Sequence, residues 1–173
     1  MTIQALGQLL GNVIQSYMGL DASRVVLADE GFDAPKDQGI YVLVIYDGTE
    51  GLLGVSRSVD SVTGLETMST STHERFQVEV ISRGRDATNR HKEVLFAIES
   101  TMGIQSAESN GVSFFRGGQV LDLSAIEGSG ALRRYRIPVI ISNVETKTSA
   151  ISVPLIAPSP IAILETGKII TEA

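Results

Sequence analysis

Polar and apolar positions alternate most regularly between Thr70 and Met102. In Thr72-His73-Glu74-Arg75-Phe76-Gln77-Val78-Glu79-Val80-Ile81-Ser82, Phe76, Val78 and Val80 fall on one face and Arg75, Gln77 and Glu79 on the other. That is the period-two pattern of a half-buried antiparallel strand. Arg83-Gly84-Arg85 then reads as a turn and Asp86 as the N-cap of an amphipathic helix reaching Met102. Leu95, Ile98 and Met102 recur along it at helical spacing, with Val94 alongside.

The same reading organises the rest of the chain. Ile3, Leu6, Leu10, Val13, Ile14 and Tyr17 lie opposite Gln4, Gln8, Asn12 and Gln15, which predicts a two-faced N-terminal helix. Its neutral polar stripe suits a protein interface, and the plainer reading is a helix that covers a sheet. Arg24 to Leu27 reads as a short strand, and Asp29 to Gln38 as a loop. Gly39 to Tyr46 is a continuous apolar run, predicting a central strand covered on both faces and ended by a turn at Asp47-Gly48. Thr49 to Met68 reads as a hairpin or flap whose apolar residues are satellite core or a contact surface. Val112 to Phe115 and Gln119 to Leu123 flank Arg116-Gly117-Gly118, a hairpin signal, and a second turn is expected at Glu127 to Gly130. Leu132 to Val144 forms the last strong strand, with Tyr135, Ile137, Val139 and Ile141 on one face. Pro138, lacking an N–H, implies an edge position or a bulge. The expected fold is α+β: a mostly antiparallel sheet with an N-terminal helix and a central helix packed on one face.

The C-terminal segment breaks the pattern. Thr148 to Leu164 carries no charge and holds Pro154, Pro158 and Pro160 among many aliphatic residues. The prolines exclude a membrane helix, and the apolar content is wrong for a free linker. Two readings stand level: an extended arm lying on another subunit, or a segment folded back on its own domain. From Pro154 onward it can span about 65–70 Å. The expected organisation is one domain over residues 1–147 and an arm over 148–173.

A length of 173 residues suits a single domain with a real core. The absence of cysteine excludes disulfides, thiolate nucleophiles and cysteine-based metal sites. A net charge of −6 argues against a grip on nucleic acid but allows DNA to pass without being held. Met1 to Leu20 is uncharged, yet it lacks the basic start of a signal peptide and is too regularly two-faced for a membrane span.

The search for chemistry gives little. His73 and His91 stand in no ligand spacing, and the carboxylates are scattered. Gly167-Lys168 resembles the end of a phosphate-binding loop, but Ala162 and Ile169 occupy required positions. Gly128-Ser129-Gly130 begins like a dinucleotide loop, with Arg133 where a third glycine belongs. No catalytic, cofactor or metal residue is nominated, and an enzyme is not expected. Arg83, Arg85, Arg90 and Lys92 gather at the start of the central helix and oppose its dipole, which points to an acidic partner or to simple solvation beside Asp86 and Glu93.

The order of elements carries a resemblance. A neutral amphipathic helix, the loop Asp33 to Gly39, the strand Ile40 to Tyr46 and a glycine-rich flap come first. Glu74-Arg75-Phe76-Gln77-Val78-Glu79-Val80 then leads through Arg83-Gly84 to Asp86-Ala87, and Arg134-Tyr135-Arg136-Ile137-Pro138-Val139-Ile140-Ile141 closes the sheet. Over Ile3 to Lys147 this resembles the tail-terminator or neck-terminator proteins of tailed bacteriophages. The resemblance implies a structural virion subunit, assembled in the host cytoplasm, that forms a ring, typically hexameric. The ring ends polymerisation of the tail tube and joins the tail to the head or neck connector. Implied partners are further copies of the chain, tail tube protein, sheath where the tail has one, and the connector, with DNA only as passing cargo, no membrane and no cofactor. The interface candidates are Leu52, Leu53, Val62 and Leu65 of the flap; Arg75, Gln77, Glu79, Arg83 and Arg85; and Leu155, Ile156, Ile161 and Ile163 of the arm. In a ring, Arg75, Gln77, Glu79 and the basic helix start are expected to stand free, ready to meet a neighbour or line the channel. The alternatives are a connector adaptor or head-completion protein, and a ligand-binding domain or enzyme using the flap as a lid over Ser56, Ser58, Asp60 and Ser61.

Overall fold

In the computed structural model of the chain, residues 1–28, 37–60, 62–127 and 130–150 are described. Helix α1 (Ile3–Met18) starts where the Thr2 hydroxyl accepts a bond from the Ala5 N–H at 3.2 Å and ends at Gly19, whose φ of 62° is left-handed. Its apolar stripe, Leu6, Leu10, Val13, Ile14 and Met18, is buried. Gly7 lets the helix approach the sheet closely, since a β-carbon there would meet Leu27 at 3.0 Å and Phe76 at 3.3 Å. The plainer reading of this helix, as the cover of a sheet, is what the fold uses.

The strands are β1 (Val25–Leu27), β2 (Tyr41–Val59), β3 (Leu65–Ser82), β4 (Val112–Arg116), β5 (Leu121–Asp122), β6 (Ala125–Glu127) and β7 (Gly130–Ala150). Their order is β1-β2-β3-β7-β4, with β5 and β6 also pairing with β7. β1 runs parallel to β2, and every other pairing is antiparallel. Helices α2 (Asp86–Arg90), α3 (Glu93–Glu99) and α4 (Thr101–Ser109) lie between β3 and β4 in sequence. The expected α+β fold is therefore observed. Its core joins Leu10 and Ile14 of α1, Val94 and Ile98 of α3, and the inner sheet face of Val42, Val44, Phe76, Val78, Val80, Ile137, Val139 and Ile141.

Local details differ from the sequence reading for identifiable reasons. β2 is fully buried on one face, at Val42 and Val44, while on the other face Tyr41 is buried but Leu43 and Ile45 are only half-buried. Asp47-Gly48 is no turn; β2 passes through it with a register shift, a bulge tolerated because Gly48 adopts φ 117°. Asp86 is the first helical residue and not the cap; the Ser82 hydroxyl accepts the Ala87 N–H at 3.1 Å in its place. The central helix also comes in pieces. α2 and α3 are joined through His91 and Lys92, both helical in backbone, but Ser100 turns extended and caps α4 by accepting the Gly103 N–H at 3.0 Å. Helical structure thus runs past Met102 to Ser109, and Met102 itself is exposed.

β4 and β5 do not form a hairpin with one another; both pair with β7. Pro138 sits in the interior strand β7 at the gap between them. The Gly117 N–H donates to the Pro138 carbonyl at 2.9 Å from the side away from β3, so the missing Pro138 N–H faces the place where β4 has ended and β5 has not begun. β7 also passes residue 148 unbroken to Ala150, so the boundary expected there lies within a strand.

Candidate functional site

Beyond the helices, β2, β3 and the last part of β7 continue as a three-stranded ribbon. The core ends at Phe76 and Ile141, and the last buried polar positions are Thr72 and Asn143. From Leu65 to Ser71 the ribbon extends by about 23 Å, at roughly 3.3 Å per residue. Here the alternation of valines gives way to small hydroxylated residues. Ser69 and Thr146 hydroxyls meet at 3.1 Å, Thr67 and Thr148 at 3.4 Å, and the Thr70 hydroxyl donates to the Gly54 carbonyl at 3.0 Å. At the tip, the Asp60 carboxylate accepts the N–H groups of Val62 at 2.8 Å and Thr63 at 3.3 Å. The Val62 N–H, then the Thr63 hydroxyl and N–H, hold this carboxyl below the ordinary range.

The expected hairpin is thus real and longer than the sequence pattern implied. In it β2 pairs with β3 from Tyr41 to Val59, and Ser56 and Ser58 lie exposed on the ribbon, away from the core. Asp60 is engaged in the turn, and Ser61 lies outside the described residues. Val62 is 92% exposed at the tip and Leu65 is exposed beside it. Leu52 is placed in β2 opposite Thr72, with Leu53 next to it. An open groove of about 590 Å³ lies where the ribbon leaves the domain, lined by Met1, Val55, Met68, Thr70 and Val144.

The outer face of the sheet corrects a second expectation. Glu79 does not stand free: it is fully buried, and its carboxylate accepts from Arg134 Nε at 2.8 Å and from Arg136 Nε and Nη2 at 2.8 and 2.7 Å. Register explains this, since Arg136 lies directly opposite Glu79 on β7 and Arg134 is its diagonal neighbour. Gln77 Nε2 donates to Asp47 at 2.8 Å, and its buried Oε1 has no partner among the described residues. Arg75 bridges Asp47 at 3.2 Å and Glu50 at 3.5 Å. The polar side of β3 is therefore largely satisfied within the subunit.

Of the basic group, Arg90 is also internal. It forks onto Glu93 at 2.7–3.1 Å and donates to the Met18 carbonyl at 2.6 Å, tying the end of α1 to α2. Glu93 raises the Arg90 pKa above its ordinary value. Arg83 and Arg85 are exposed and have no ion pair among the described residues. Leu155, Ile156, Ile161 and Ile163 lie outside the described residues.

Two further carboxylate clusters escaped the sequence reading. Glu74 is buried between the hydroxyls of Tyr46 at 2.9 Å and Thr49 at 2.8 Å, where the Gly48 bulge brings β2 across β3. Arg116 of β4 forks onto Glu99 of α3 and holds its carboxyl below the ordinary range. His91 stacks on Tyr135 at 4.2 Å and donates from Nδ1 to the Thr88 carbonyl at 2.9 Å, and His73 lies 6.3 Å from the Phe115 ring. Among the described residues, no three His, Asp or Glu side chains come together as a metal site. Among the described residues, no helix is long and apolar enough to cross a membrane. No protein-family model matches this chain, and no curated protein matches it in sequence.

Proposed function

We propose that this chain is a structural subunit of a tailed phage that assembles into a ring, hexameric as the family resemblance implies, ends the tail tube and joins the tail to the neck. The observation that carries this reading is the ribbon. Three strands leave the core without a helix above them among the described residues, and a ribbon of so few strands has little stability of its own in water. A surface that gains its packing from neighbours is what a ring subunit requires. Exposed Val62 and Leu65 at the tip and the groove under Met1 supply its apolar contacts, and Arg83 and Arg85 supply free cations for an acidic partner. Termination then follows from asymmetry: one ring face fits the last tube ring, and the other offers no site for a further tube subunit.

The test is mass measurement of the full chain in solution together with electron microscopy, alone and beside tail tube protein. Rings that cap tube ends are the expected result. A chain that forms no rings at high concentration and leaves tube length unchanged overturns the reading, and rings that bind only the connector turn it toward an adaptor. Deleting Pro154 to Ala173 is expected to weaken assembly while the domain stays folded.

A further inference from the structure

The two edges of the ribbon are built differently. Along β2, Gly48, Gly51 and Gly54 take φ values of 117°, 66° and 148°, and the register with β3 shifts at three points, so this edge is kinked against strand addition. β7, by contrast, pairs with β3 without a shift from Leu65↔Ala150 to Ser82↔Arg133. β4 covers its other edge only as far as Asn143. Among the described residues nothing pairs with that edge from Val144 onward, and Val144 to Ser149 are exposed.

The direction of the free backbone groups follows from the neighbouring bonds. The carbonyls of Arg134 and Pro138 accept from Leu123 and Gly117 on the side away from β3. Backbone groups alternate along a strand, so the N–H and C=O of Val144, Thr146 and Thr148 point to the open edge.

We propose that a second copy of this chain pairs with this edge, antiparallel about a two-fold axis at Thr146. In that register Thr146 and Thr146 of the partner subunit exchange both backbone bonds, and Val144 does the same with the partner subunit's Thr148. Glu145 then stands opposite Lys147 of the partner subunit, and Lys147 opposite the partner subunit's Glu145. These fall in the non-hydrogen-bonded positions, where cross-strand side chains lie closest and opposite charges attract. Moving the axis to residue 145 or 147 sets Glu against Glu or Lys against Lys. Val112, already paired with Asn143, ends the contact after Thr148 of the partner subunit. The sequence Val144-Glu145-Thr146-Lys147-Thr148 is therefore self-complementary in the stretch of β7 edge left open among the described residues. The pairing is isologous and closes as a dimer, and its few residues make it a weak one, populated at high concentration. It rests on the ribbon edge alone and does not require the ring.

The absence of native cysteine gives a clean test. Thr146→Cys sets two thiols on α-carbons about 5.5 Å apart across the axis, within disulfide reach, whereas Thr148→Cys separates them by about 14 Å along the strands. Mild oxidation is expected to cross-link Thr146→Cys and leave Thr148→Cys monomeric. In sedimentation, Glu145→Lys and Lys147→Glu are each expected to weaken dimerisation about tenfold or more, and equimolar mixing of the two to restore it. A wild-type chain that stays monomeric at every concentration overturns the proposal, as do equal cross-linking at both positions or a mixture no better than either variant alone. Rings that persist in Glu145→Lys after its dimer is lost separate this pairing from the terminator reading.

Discussion

From Phe76 to Val80, β3 turns Phe76, Val78 and Val80 into a core shared with α1, α3 and β7; from Thr67 to Ser71 the same strand, in the same register, carries Thr67, Met68, Ser69, Thr70 and Ser71 with none of the described helices above them. The backbone ladder is common to both halves, so hydrogen bonding does not distinguish them. Side-chain burial does. A fully buried aliphatic side chain contributes about 1.5–3 kcal/mol, whereas an exposed hydroxyl pair contributes a few tenths. The packed half stabilises the subunit, and the ribbon has its faces and its β7 edge left over for something else.

The largest effect that would break this comparison lies in the packed half. Ile137→Ala, at a fully buried site, is expected to cost about 2–5 kcal/mol in denaturant unfolding, as cavity formation does elsewhere. Thr67→Ala or Ser69→Ala in the ribbon is expected to stay within about 0.5 kcal/mol. Equal losses at both places would mean that the ribbon is part of the stabilising core.

Next comes the outer face. Glu79→Ala strips two guanidinium groups of their shared acceptor and removes a fully buried side chain, with an expected cost of about 1–3 kcal/mol, discounted because both arginines remain about one-third exposed. A double-mutant cycle with Arg136→Ala measures the coupling, and a value near zero would show that the carboxylate is held by packing alone. Gly103→Ala is expected to cost about 1–3 kcal/mol as well, because its β-carbon would lie 2.2 Å from the Ala97 carbonyl where α4 turns from α3. Helical content by circular dichroism is expected to fall slightly with it, since the α3–α4 joint must open.

The smallest effect is that of pH. Arg24 beside Asp37, and Arg116 beside Glu99, hold these carboxyls below the ordinary range. Each therefore releases its proton more readily folded than unfolded, and its contribution is complete above the unfolded value and lost as pH falls through the folded one. Unfolding midpoints are expected to hold from neutrality to about pH 5 and to decline below about pH 4. Glu99→Gln should flatten part of that decline; an unchanged slope would assign acid sensitivity to other groups.

Much of this architecture was legible because it is local. The alternation in Phe76 to Val80 and in Tyr135 to Ile141, and the stripe of α1, give strand and helix directly, since period sets which side chains share a face. The misread elements depend on what lies opposite them. Gly48 looks like a turn until β3 is seen to continue past it, and Arg116-Gly117-Gly118 looks like a hairpin until β7 is seen to take both strands. Glu79 is polar by sequence and buried by register, because only strand pairing puts Arg134 and Arg136 beside it.

The sequence by itself determined the α+β class, the inner faces of β3 and β7, and the buried stripe of α1, all set by hydrophobic period along a single segment. Only the tertiary structure decided that the polar face of β3 is spent within the subunit, that the ribbon stands clear of the described helices, and that one of its edges is straight and, among the described residues, unpaired. Those properties arise between segments far apart in the chain, where cross-strand register and the reach of the helical layer, not local pattern, decide what each side chain meets.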